Sequence, residues 1–454
     1  MRGDRAITRV LAGSAAAALP AAATLLAVAA TALPGVHGTG QASRRPTLTL
    51  TPQLRVITPR PDAAPQGGYT PTQIRAAYYL NPLLRSGIDG KGQSIVIVDS
   101  FGSPTIRHDL AVFDRTFGLP APPALLIIHP AGRIPAFRPT STRASWAQET
   151  TLDVEWSHVM APDARIVLVE TPVSENEGTS GFPQIVKAEK YVIAHQLGGV
   201  ISQSFGATEE TFPKGTLRPL RGAYIEAAQR AHNITVVSAS GDAGATDYRS
   251  DMTSYYTKPV TSWPASDPLV TSVGGLDLNL NGRGQRLAPD RVWNDVGIVP
   301  SAGGGGKSIM FSRPQFQSGV SAVVGRQRGV PDVSMSASCS HPVDIFASFG
   351  GQSGWFNICG TSEATPLFAG VIALADQVAG HPIGPINGYL YKMASAHDAG
   401  IVDIVHGNNT VTFSQDGKTY TVRGWNAVRG YDLASGLGTI NAPYFVRELT
   451  ALAK

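Results

Sequence analysis

The residues with the most chemistry in this sequence stand in two short strings. QETTLDVEWSHVMAP carries Glu149 and Asp153 four residues apart, and CGTSEATPLFAGVIALAD carries Ser362 just ahead of an apolar run. At helical spacing Glu149 and Asp153 stack on one face, where two carboxylates repel by roughly a few tenths of a kcal/mol. A solvated surface tolerates this, but Trp156 and Met160 continue the same face and argue that it points inward. A buried pair would share a proton, which suits acid–base chemistry. Ser362 follows Gly360, which permits close backbone approach, and Thr361, a fair N-cap, while Pro366 lies early in the helix where a missing N–H costs little. From there Leu367, Phe368, Val371, Ile372 and Ala373 predict a mostly buried helix. A serine at its N-terminus meets the positive end of the helix dipole, although the same residue could simply cap a core helix.

A serine nucleophile needs a base. Glu149 and His158 compete for the role, but they lie on opposite sides of one helix, which cannot aim both at Ser362. A carboxylate near its ordinary pKa of roughly 4 serves best in acid. Asp242, in SASGDAGATD, stands directly after a predicted strand.

The elements that must position these groups alternate. Strands are predicted at 94–99, 124–129, 164–170, 199–205 and 234–239, and helices at 105–117, 147–160, 184–196 and 220–232. Continuous apolar strands between helices imply an α/β fold with a mostly parallel, doubly wound sheet covered on both faces. Such sheets carry their sites at the C-terminal strand ends, where Asp99, Phe205 and Asp242 fall. The run Gly303 to Gly306 reads as a mobile loop.

The chain has 454 residues, 43% hydrophobic, with a net charge of +4 and no basic stripe interleaved with aromatics, so no nucleic-acid partner is expected. Arg2, Arg5 and Arg9 precede an Ala-rich apolar run ending in small residues, which reads as a signal peptide over 1–38, with a signal anchor as the alternative. Residues 39–68, rich in Pro, Thr, Arg and Gln, read as a flexible linker to a domain over 69–454. No later segment is apolar enough to span a bilayer, so a secreted, extracellular monomer is expected, with no membrane contact after signal removal. Its two cysteines, Cys339 and Cys359, favour a disulfide in an exported protein; two buried thiols are the alternative. No Cys/His cluster has the spacing of a zinc site.

Taken together the motifs resemble the sedolisins, or serine-carboxyl peptidases, which share a subtilisin-like fold. That family places Glu and Asp four apart on one helix, then Asp in a Gly-Asp-(Ser/Ala)-Gly turn, then Gly-Thr-Ser followed by Pro. Here Glu149 and Asp153, Gly241-Asp242-Ala243-Gly244 and Gly360-Thr361-Ser362 appear in that order, and the similarity runs from Tyr69 to the C-terminus. The subtilisin His-Gly-Thr-His motif is absent. The resemblance implies Ser362 as nucleophile, Glu149 as general base, Asp153 as its orienting partner, Asp242 as oxyanion donor and Asp99 in support. It also implies hydrolysis of peptides or unfolded proteins with an optimum at roughly pH 3–5. Near the C-terminus VDIVHGNN and VRGYDLASGLG match the family's calcium loop. Asp403 and Asp432 would supply carboxylates and Ile404, Val428 and Gly430 carbonyls to one structural Ca²⁺; without the family these are two aspartates in Gly-rich turns. Asp99 stands where many relatives have Glu, Phe205 where they have Trp, and Cys359 where Ser is usual. Relatives commonly carry a large prodomain, and fewer than seventy residues precede Tyr69, so a folding helper is expected to be dispensable or separate. The competing expectations are a neutral subtilisin-like peptidase using His158 and an exported binding protein on an inactive peptidase fold.

Overall fold

The structure is a computed structural model that describes residues 51–52, 55–61, 65, 67–173, 181–213, 215–229 and 231–454. The expected signal peptide and most of the expected linker lie outside the described residues. No helix among the described residues is long and apolar enough to cross a membrane.

Seven strands follow one another across the main sheet: Arg291–Val292, Thr271–Asp277, Thr235–Ala239, Val200–Gln203, Ser94–Ser100, Arg165–Thr171 and Leu125–Ile128. Val333–Ser336 also pairs with Thr271–Asp277, and only Arg291–Val292 runs antiparallel. Period-two alternation divides each strand between two cores. Ile95, Ile97, Ile166 and Leu168 face one, built with the helices Ile106–Phe117, Ser141–Met160 and Thr361–Ala379. Val96, Val98, Val167 and Val169 face the other, built with Phe182, Ile185 and Val192 of the helix Gly181–Ala194. By the same alternation Asp99 and Glu170, the last odd and last even acidic residues of their strands, share the first face.

The helix Ser141–Met160, hereafter the carboxylate helix, starts six residues before the expected Ala147, because Thr140 caps it by accepting the Arg143 N–H at 3.3 Å. It packs on the serine helix, Thr361–Ala379, at short range: a Cβ on Gly370 would lie 2.4 Å from the Met160 Cβ. The expected strand 199–205 is two strands, broken at Ser204. Phe205–Thr208 leaves the main sheet to pair antiparallel with Thr51–Pro52 and Ser262–Trp263. The expected helix 220–232 is likewise two short pieces, Leu217–Leu220 and Gly222–Ala227. Part of the stretch expected as linker is strand: Thr51–Pro52 takes the edge of Phe205–Thr208, and Arg55–Pro61 pairs antiparallel with Gly354–Cys359. Edge strands take their order from the partner's open backbone groups, which composition does not reveal.

Candidate active site

The strand Gly354–Cys359 runs straight into Gly360, whose φ of +131° is a conformation that glycine alone takes readily. Gly360, not Thr361, is the N-cap. Thr361 fastens the helix start to a neighbouring turn instead: its N–H and its hydroxyl each donate to Asp242 Oδ1 at 2.8 Å, and its oxygen accepts the Gly241 N–H at 3.2 Å. Ser362 follows, fully buried, its hydroxyl donating to the Ser204 carbonyl at 3.3 Å. Pro366 sits past the first turn, inside the helix, where it has no N–H to offer the Ser362 carbonyl. That carbonyl lies 3.5 Å from the Ser204 hydroxyl.

Opposite Ser362 stand Glu149 and Asp153, both with no solvent exposure. The carboxylate helix is buried on every side from Glu149 to Ala161, so the inward turn of this pair does not depend on a single apolar face. Trp156 donates its Nε1–H to the Asp344 carbonyl at 3.1 Å. Ser204 donates its hydroxyl to Asp153 Oδ1 at 2.9 Å and so holds one carboxyl while its own carbonyl holds the serine. Neither Glu149 oxygen makes a well-formed hydrogen bond, yet the Ser362 hydroxyl lies close enough to favour its ionised form. Burial above all, and then the charges of Asp153, Asp99 and Asp242, push Glu149 well above the usual carboxyl range. Burial and the Asp99 charge do the same to Asp153, against the pull of the Ser204 hydrogen bond. Asp99 is pushed up to about 7 by burial and by Glu170, with the Thr150 hydroxyl opposing. Carboxyls coupled this closely titrate as a group, so the first proton lost leaves one anion shared by the site.

His158 belongs to a different neighbourhood. Its Nε2 lies 2.7 Å from the Pro120 carbonyl and 3.3 Å from Asp114 Oδ1, on the side of the helix away from Glu149.

The turn bearing Asp242 is held by packed backbone, and here the sequence expectation of a mobile loop at Gly303 to Gly306 is overturned. All four glycines are buried. Gly304 donates its N–H to the Gly241 carbonyl at 2.7 Å and accepts the Ser240 hydroxyl at 2.7 Å. A Cβ on Gly304 would lie 2.3 Å from the Ser240 carbonyl oxygen, so the run is glycine because backbone meets backbone. From the other side Ala245 donates its N–H to the Asn409 carbonyl at 2.9 Å.

Ser204, Thr150 and Glu170 were not picked out from the sequence. Ser204 lies at the break between Val200–Gln203 and Phe205–Thr208, and its only signal was its place near the end of the predicted strand 199–205. Phe205, beside it, packs its ring 6.2 Å from Trp146. Cys339 and Cys359 are bonded to each other, tying the strand that enters Gly360.

The two C-terminal aspartates each hold the backbone of one turn. Gly430 donates its N–H to Asp403 Oδ2 at 2.9 Å, and Val428 to Asp432 Oδ2 at 3.0 Å. Asp432 is further held by the N–H groups of Ala434 and Ser435. Among the described residues the Ile404, Val428 and Gly430 carbonyls accept no backbone hydrogen bond. Oxygen acceptors of this kind beside two carboxyls fit a hard cation, although no group of three or more His, Cys, Asp or Glu among the described residues has metal-holding geometry.

Residues 141–414 match the model of the Subtilase family. Kumamolisin of Bacillus sp. (strain MN-32) is 28% identical over 400 residues, covering 87% of this chain and 65% of its own length. Sedolisin of Pseudomonas sp. (strain 101) is 29% identical over 275 residues, covering 59% and 43%. Tripeptidyl-peptidase 1 of Homo sapiens is 27% identical over 399 residues, covering 84% and 64%. The chain thus spans less than two thirds of the length of these curated relatives. The solved structure of Pseudomonas sedolisin, a serine-carboxyl proteinase, superposes with a TM-score of 0.67 over 85% of this chain and 99% of that one at 24% identity, a likeness of fold.

Proposed function

This chain belongs to the subtilase family, with its similarity on the sedolisin side, and from that premise we propose that it is a secreted serine-carboxyl peptidase working in acid on peptides and unfolded proteins. Ser362 Oγ attacks the peptide carbonyl while its proton passes to the Glu149 carboxylate. Asp153, held by Ser204, keeps Glu149 oriented, and Asp242 donates to the developing oxyanion. Collapse of the tetrahedral intermediate breaks the C–N bond as Glu149 returns the proton to the leaving amine, and water then releases the acyl group by the same route.

One observation carries this reading. A fully buried serine at a helix start shares Ser204 with a buried carboxyl of the facing helix, and the candidate histidine is bonded elsewhere. Asp403, Asp432 and the carbonyls of Ile404, Val428 and Gly430 would hold Ca²⁺, whose part is to stabilise the fold.

The test is kcat/KM for a quenched peptide from pH 2 to 9 in the full chain and in Ser362→Ala, Glu149→Gln and His158→Gln, with folding checked at each pH. Ser362→Ala and Glu149→Gln should abolish cleavage, and His158→Gln should keep most of it. An optimum at pH 7–8 with a dead histidine variant would overturn the carboxylate mechanism.

A further inference from the structure

Glu170 is a buried carboxyl that the proposed chemistry does not use. It stands directly opposite Asp99 in the parallel register of Arg165–Thr171 with Ser94–Ser100. Parallel partners share a face, so both carboxyls project toward the helices that carry Glu149 and Ser362. Gly102 closes over Glu170: it has φ +70°, and a Cβ there would lie 1.8 Å from Glu170 Oε1. On the outer side Glu170 Oε2 lies 2.8 Å from His129 Nε2, and that imidazole is 44% exposed. The groups that face Glu170 and its neighbour are His129 after Leu125–Ile128, Asp99 on Ser94–Ser100, and Glu149, Thr150 and Asp153 on the carboxylate helix. Arg143 of that helix lies over the Phe101 ring, 3.6 Å from its centroid, and donates from Nη1 to the Pro135 carbonyl at 3.3 Å. A row of titratable groups therefore runs from solvent at His129, through Glu170 and Asp99, to the pair beside Ser362.

We propose that Glu170, held by His129, is a positioning residue for the catalytic carboxyls, setting through Asp99 the pH at which Glu149 acts as base. The proposal rests on the reading of Glu149 as that base. An ionised Glu170 makes ionisation of Asp99 costly, so Asp99 keeps its proton. A neutral Asp99 does not oppose loss of a proton from Glu149 or Asp153. Without the Glu170 charge, Asp99 ionises at lower pH and its anion holds the proton on the pair. Burial raises Glu170 and the His129 hydrogen bond opposes that rise, so loss of His129 lets Glu170 take up a proton more readily, with the same consequence.

Glu170→Gln and His129→Gln should therefore act in the same direction, and the double variant should add little. Carboxyl ¹³C NMR of the full chain labelled in Asp and Glu, with the Asp99 signal assigned through Asp99→Asn, should show Asp99 titrating about one unit lower in each variant, the scale on which a near charge acts. In kcat/KM profiles the decline on the alkaline side should begin at lower pH in both, where Asp99 now ionises beside the pair. An Asp99 titration unmoved by Glu170→Gln overturns the proposal whether or not any peptide is cleaved, and so does full additivity in the double variant. If the chain cleaves no peptide, the Glu149 reading fails by itself and the Asp99 titration still decides the coupling. Should Glu170→Gln fail to fold, His129→Gln at the surface carries the same test.

Discussion

The Ser204 hydroxyl donates to Asp153 Oδ1 at 2.9 Å, and the carbonyl of the same serine accepts the Ser362 hydroxyl at 3.3 Å. One residue at a break between strands thus holds together Asp153, the proposed orienting carboxyl, and Ser362, the proposed nucleophile. Ser204→Ala leaves the carbonyl in place and removes the hydroxyl, with its bond to Asp153 and its longer 3.5 Å contact to the Ser362 carbonyl. A hydrogen bond to a charged group is worth about 1.5–3 kcal/mol, so kcat should fall about 10- to 100-fold with KM little changed. Ser204→Thr should restore most of it. An alanine variant with unchanged kcat would mean that Asp153 is held by packing alone.

The two key helices and the strand Ser94–Ser100 were legible because apolar pattern reports burial directly, and Ile95–Val98 is a continuous apolar run just before Asp99. Ser204 was not, since a lone serine gives no sign of the two partners that meet it from distant parts of the chain. Gly303 to Gly306 misled for a related reason. Glycine marks both mobile backbone and backbone packed against backbone, and only the partner at Ser240 and Gly241 distinguishes them. The strands in 51–61 were hidden by their prolines, which an edge position tolerates.

Gly304 offers a direct test of that packing. Alanine there must push the Ser240–Gly241 backbone and with it the turn that carries Asp242. Gly304→Ala should lower kcat, by up to about 10²–10³-fold if the oxyanion donor is displaced. Gly297→Ala, where a Cβ meets nothing within 4 Å, is the control and should leave kcat unchanged. Equal rates in the two variants would remove the glycine run from any role in placing Asp242.

Thr51–Pro52 occupies the edge of Phe205–Thr208, immediately after Ser204. A peptide lying along that edge beside Ser362 would need the same backbone groups. Deleting residues 1–52 should therefore raise kcat/KM on peptide substrates while leaving the melting temperature close to that of the full chain, because among the described residues two residues of pairing are lost. Unchanged kinetics would show that substrate uses another edge.

Calcium, if the C-terminal loop holds it, binds the folded form and stabilises it by mass action. Chelator should lower the melting temperature, and Asp403→Ala should erase the difference. The Asp403 carboxyl is bonded to Gly430, so the variant should also loosen this turn in the absence of metal. A melting curve indifferent to chelator, with no metal in the purified protein, would reject the site.

The buried acids set how stability depends on pH. Burial pushes Asp99 up to about 7, Glu189 to about 8 and Asp376 to about 7, while the same groups in the unfolded chain titrate near 4. Between about pH 4 and 8 the folded state therefore holds protons that the unfolded state has released. Stability must fall as pH rises through that window, since its slope follows protons bound unfolded minus folded. His341, raised by its hydrogen bond to Asp277, contributes in the same sense, because its stabilisation is present at low pH and is lost as pH rises through its folded value. Thermal melts of the Ser362→Ala chain, which excludes self-digestion, should show the highest melting temperature in mild acid and a steady decline to pH 8. Glu189, hydrogen-bonded by Gln203, is the group that titrates highest of the three, so Glu189→Gln should flatten the upper end of that decline. A melting temperature that is level or rises from pH 5 to 8 would mean that these carboxyls ionise in place without cost.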